Sequence, residues 1–145
     1  MKLTRILKIT ETDFYDFLEN DLISNIYKFT NKEVSAIDIK KGLKYTKYND
    51  NAHIKLDISI LEYERGKIFR SITKSLFDKI TISFETEVVK DGLKVVFNQN
   101  IESFENEKHN KFMRLFSEAV YYGRMSDTLY DIQKKIISNS TTSNI

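Results

Sequence analysis

Residues 79–101, KITISFETEVVKDGLKVVFNQNI, decide the fold. On the first arm Ile80, Ile82, Phe84 and Val88 alternate with Lys79, Thr81, Ser83, Glu85 and Glu87. A period of two marks a strand with one face on a core and one in water. Asp91-Gly92 is a short hairpin signal, because such turns need positive φ and glycine adopts it freely. The chain returns over 93–104 with Leu93, Val95, Phe97 and Ile101 aligned.

Upstream the pattern repeats. Residues 67–74 (KIFRSITK) read as a strand with Ile68 and Ile72 on one face, entered from the turn Glu64-Arg65-Gly66. Residues 53–63 set Ile54, Leu56, Ile58 and Ile60 against Lys55, Asp57 and Ser59. The Asn49-Asp50-Asn51 turn separates them from a short strand over 43–48 (LKYTKY). Strands joined by short turns form an antiparallel meander, and the alternation implies cover on one side only.

The flanks supply the cover. Residues 2–10 open the chain as a strand, with Leu3, Leu7 and Ile9 on one face, interrupted by Arg5. Thr10 or Thr12 can cap a helix or two short helices over 13–29, and a further helical piece over 32–41 stops at Gly42. Residues 106–138 carry Phe112, Leu115, Phe116, Ala119, Tyr122, Leu129, Ile132 and Ile136 at helical spacing. Unbroken, this helix reaches about 50 Å, the only apolar stripe long enough to cover the meander. The expected fold is α+β: a curved antiparallel sheet of about six strands on a long C-terminal helix, with two short helices after the first strand. Residues 1–139 form one domain, and the polar tail 140–145 is expected to be disordered.

Composition narrows the function. A chain of 145 residues, 41% hydrophobic and 30% charged, is an ordinary globular balance. The absence of cysteine removes thiolate catalysis, disulfides and zinc–thiolate centres, and fits a reducing compartment. No run is long enough for a membrane span or a secretory core, so the expected location is cytoplasmic. The net charge of +2 is interspersed. The Lys40, Lys41, Lys44, Lys47 cluster is explained by a solvated helix–strand junction, so no nucleic-acid partner is expected. The four glycines form no phosphate loop. His53 and His109 have no metal-ligand spacing. Neither a catalytic residue, a metal nor a cofactor is assigned.

Three stretches carry a resemblance: KLTRILKITETDFYDFL at the start, KKGLKYTKY over 40–48, and ILEYERGKIFRSI over 60–72. They resemble an uncharacterised low-GC Gram-positive family, domain of unknown function 3284. More loosely they resemble the helix-grip proteins of the START-like and Bet v 1-like group (SRPBCC), where Glu64-Arg65-Gly66 replaces a turn that usually carries proline. The resemblance implies the fold and a bacterial origin, and no chemistry. The abundance of Lys, Ile and Asn, residues with AT-rich codons, agrees with such an origin.

A helix-grip sheet can leave a cavity against its helix, and the candidate residues are those expected to face it. Tyr45, Phe69, Phe84, Phe97, Phe112, Phe116 and Tyr122 are the aromatics expected to line it; the alternative is that they are packed core. Glu62 continues the parity of Ile54–Ile60, so it either points inward near a sheet edge or reaches solvent past the core. Arg70 shares the parity of Ile68 and Ile72, so it faces a ligand head group, pairs with Glu62, or snorkels outward. The leading function is non-enzymatic binding of a small apolar or amphipathic ligand. The alternative is a regulatory or interaction module with a filled core, such as a homodimer, using a patch of Leu61, Tyr63, Val96 and Phe104.

Overall fold

The computed structural model of the chain describes residues 1–49, 54–76, 78–103 and 111–143, and side chains at all of these except 49, 103, 111–122 and 140–143. Strand β1 (Lys2–Leu7) leads into helix α1 (Glu11–Thr30). After a 3₁₀ turn at Ala36–Asp38 come β2 (Lys44–Asn49), β3 (Ile54–Glu64), β4 (Ile68–Lys74), β5 (Asp78–Val89) and β6 (Gly92–Ser103). Helix α2 (Lys111–Ser143) closes the chain. The six strands form one antiparallel sheet in the order β1-β6-β5-β4-β3-β2, so β1 pairs across the meander's far end and β2 is the opposite edge.

Local chemistry explains the boundaries. Thr10 is the N-cap of α1: its hydroxyl accepts the Asp13 amide at 3.1 Å, with Glu11 and Asp13 at the positive end of the helix dipole. Asn31 ends the helix in the left-handed region at φ 58°, donating its amide to the Tyr27 carbonyl. The two helical pieces expected after β1 are therefore one continuous twenty-residue helix and a single 3₁₀ turn, in which the Asp38 carboxylate accepts the Ser35 amide at 2.9 Å. Helix α2 runs to Ser143, so residues 140–143 of the expected loose tail are helical; no glycine or proline follows Ile136 to break the backbone ladder.

Both helices pack on one face of the sheet. From α1, Phe14, Tyr15 and Leu18 join one core, and from α2 come Met125, Leu129, Ile132 and Ile136, spaced four, three and four residues apart. The sheet contributes Leu3, Leu7, Ile60, Phe69, Phe84, Leu93, Val95 and Phe97.

Candidate functional site

Strand register sorts the inner face into rows. Ile60 pairs with Ser71 and Ser71 with Ile82. Tyr45 pairs with Ile58, Ile58 with Thr73, and Thr73 with Ile80. A third row is wholly aromatic, with Tyr63 opposite Phe69, Phe69 opposite Phe84 and Phe84 opposite Phe97. Its rings touch in sequence, at centroid distances of 6.0, 6.4 and 4.7 Å. Phe14 of α1 meets Phe84 edge-on at 5.8 Å and closes that end of the sheet.

The other two rows carry smaller or more polar side chains, and there the fold is hollow. A cavity of about 410 Å³ lies between the sheet, α1 and α2. Its floor is Ile58, Phe69, Ser71, Thr73, Ile82 and Phe84, with Tyr45 on the edge strand. Phe17, Leu18 and Leu22 of α1 and Ile132 of α2 complete the apolar wall. Asp21, Asn25 and Lys47 stand at the rim on one side, and Thr128, Asp131 and Lys135 on the other. Burial pushes the Tyr45 phenol up to about 12, with the nearby Asp21 carboxylate adding to the rise.

Three of the aromatics expected at the cavity line it: Tyr45, Phe69 and Phe84. Phe97 sits behind Phe84 in the packed aromatic row. Phe112, Phe116 and Tyr122 lie on α2, with side chains outside the described residues, as are His53 and His109.

Glu62 and Arg70 are corrected. A β-bulge between Ile60 and Glu62 inserts Leu61 as an extra residue, which shifts the alternation of β3 by one. Tyr63 therefore turns inward opposite Phe69, and Glu62 turns outward opposite Arg70. The two form an ion pair on the solvent face at 3.3 Å, with side chains 50% and 40% exposed. On β4 the inner parity belongs to Phe69, Ser71 and Thr73, so Ile68 and Ile72 mark the outer face although both are buried. The same bulge dissolves the expected Leu61–Tyr63–Val96–Phe104 patch. Tyr63 is core-packed, Val96 lies on the outer face of β6, and Phe104 is outside the described residues.

Sequence reading missed Ser71, Thr73, Lys47, Asp21 and the α2 rim. The available signal was the turn: closing Glu64 onto Ile68 places Tyr63 beside Phe69 and selects the other parity of β4. The lysine cluster is likewise split by strand alternation, with Lys47 at the cavity and Lys44 on the outer face.

Arg65 fixes the β3–β4 turn to α1. Its guanidinium donates to Asp16 at 2.7 Å and to Glu19 at 2.9 Å, and Glu19 also accepts the Tyr63 hydroxyl at 2.6 Å. This clamp holds one wall of the cavity against the sheet.

A family model described as Domain of unknown function (DUF3284) matches residues 1–118. The chain belongs to this family. No curated protein matches it. Among solved structures, Ara h 8.0201 superimposes with a TM-score of 0.61 at 9% identity, over 95% of this chain and 97% of the other. The protein MLL2253 from Mesorhizobium loti gives 0.60 at 12% identity, over 96% of each chain. The protein of unknown function SA2116 from Staphylococcus aureus gives 0.60 at 16% identity, over 98% of this chain and 94% of the other. These likenesses establish that this DUF3284 chain has the Bet v 1-like helix-grip fold, and at such identities they establish only the fold. Among the described residues no helix is long and apolar enough to cross a membrane, and no group of His, Cys, Asp and Glu is placed to hold a metal.

Proposed function

We propose that the chain binds a small apolar or amphipathic molecule in the cavity between sheet, α1 and α2, in the bacterial cytoplasm and without catalysing a reaction. The observation that carries this is the cavity itself. At about 410 Å³ it is within the size range of small-molecule sites, with apolar walls and a few polar groups converging on it. The packed aromatic row beside it supports the same reading. Where Phe14 covers the sheet the rings are in contact, Phe84 lying 5.8 Å from Phe14 and 4.7 Å from Phe97.

Native mass spectrometry of the purified protein, incubated with fatty acids and with aromatic metabolites, tests the reading. The expected result is a one-to-one adduct with a member of one class. Ile82→Phe and Ser71→Leu, which fill the floor, abolish the adduct while the circular dichroism spectrum is kept. A wild-type protein that takes up neither class removes the proposal.

A further inference from the structure

The polar groups on the cavity floor have a common character. Tyr45, Ser71 and Thr73 each present a hydroxyl, and none of the three hydrogen-bonds another described residue. Ser71 is only 6% exposed, so its environment is far from bulk water. No fully enclosed side-chain nitrogen or oxygen among the described residues lacks a partner, so an unpartnered hydroxyl here must reach free space. That space is the cavity. Ser71 is buried and Tyr45 and Thr73 are half-buried, Ser71 and Thr73 on successive inner positions of β4 and Tyr45 across Ile58 on β2, so all three hydroxyls are open to a ligand group able to hydrogen-bond them.

Charge is arranged differently. Among the described lining residues, Lys47 is the one charged side chain on the sheet's inner face, two residues beyond Tyr45 on the edge strand β2. At the rim, Asp21 of α1 is matched by Lys47 of β2, and Asp131 by Lys135 one turn later on α2. Among the described residues each side thus has one charge of each sign, so their charges sum to zero. A carboxylate lowered between Ser71 and Thr73 would lose its hydration, and the Lys47 ammonium that could meet it is offset by Asp21. A hydroxyl or carbonyl group would lose little, since a protein hydroxyl both donates and accepts.

Building on the cavity reading above, we infer that the ligand is uncharged and amphipathic, with a hydroxyl or carbonyl end held by Tyr45, Ser71 and Thr73 and an apolar body against Ile82 and Phe84. Ligand selection is then governed by hydrogen-bonding ability at the floor rather than by attraction to the rim.

Three matched probes separate the possibilities at pH 7: naphthalene, 2-naphthol (neutral) and 2-naphthoate (ionised), each measured by equilibrium dialysis. The expected order places 2-naphthol about tenfold tighter than the other two, the size of one or two well-made hydrogen bonds. Tyr45→Phe and Ser71→Ala each bring 2-naphthol toward the affinity of naphthalene, with the circular dichroism spectrum kept. The kept spectrum separates loss of recognition from loss of fold. Tightest binding of 2-naphthoate, or an unaltered order in both variants, overturns the inference and leaves the cavity reading intact. Uptake of none of the three overturns the inference, and the cavity reading is then decided by the fatty-acid and aromatic-metabolite uptake above.

Discussion

At the scale of single residues, the side chain that organises the site is Tyr63. It enters the core because Leu61 is an inserted residue, and its hydroxyl reaches the same Glu19 that Arg65 holds. Burial raises the pKa of this phenol, and the hydrogen bond to Glu19 adds to the rise. Tyr45 shows the same tendency, and its titration gives a prediction. Its folded pKa, about 12, lies above the ordinary value of 10.0. Below pH 10 the phenol is protonated in both folded and unfolded chains, and its contribution to stability is complete. Between pH 10 and 12 the unfolded chain ionises first, so stability falls as pH rises through that window. Urea midpoints across the window are expected to decline less steeply for Tyr45→Phe than for the wild type. Equal slopes would show that Tyr45 ionises alike in both states.

At the scale of elements, two glycine turns look alike in sequence and differ in consequence. Gly92 opens β6 at φ 147°, and a Cβ there would collide with the Leu7 carbonyl oxygen, which is backbone and cannot swing away. Gly66 has φ 88°, and its Cβ would meet Glu11 Oε1 at 2.6 Å, the far end of a flexible side chain. Gly92→Ala is therefore expected to cost about 2–4 kcal/mol, since clash and backbone strain combine. Gly66→Ala is expected to cost about 1 kcal/mol, the strain alone. Denaturant unfolding of both variants checks the order, and a reversed order would mean that β1 gives way more easily than its pairing with β6 indicates.

At the scale of the whole molecule, the inner face has a filled end and a hollow end. Aromatic rings of β3–β6 and α1 fill the first, and hydroxyls and aliphatic side chains surround the second. Helix α2 contributes to both, because Leu129 is fully buried in the core and Ile132 is in the core and also walls the cavity. Leu129→Ala is expected to destabilise the fold by about 2.5–5 kcal/mol, as for other fully buried leucines. A loss below about 1 kcal/mol would mean that α2 is held mainly by other contacts. The surviving transition should remain single, as one core is shared by sheet and helices.

Much of this architecture was legible in the amino-acid sequence. The Asp91-Gly92 hairpin, the alternation of β5 and β6 and the helical stripe ending at Ile136 each depend on neighbours a few residues apart, and those relations determine element type and order. The aromatic content of the interior and the position of Tyr45 came from the same periodicity. The facing of β3 beyond Ile60, and with it the roles of Glu62, Arg70, Ser71 and Thr73, did not. A single inserted residue reverses every side chain after it, and whether Leu61 is accommodated as a bulge is decided by pairing with β4. The inner parity of β4 was set in turn by the ring contacts of Phe69 with Tyr63 and Phe84. Local spacing thus determined which elements form. Tertiary packing alone decided which side chains face the cavity, because strand orientation is a property of paired strands and the core they share.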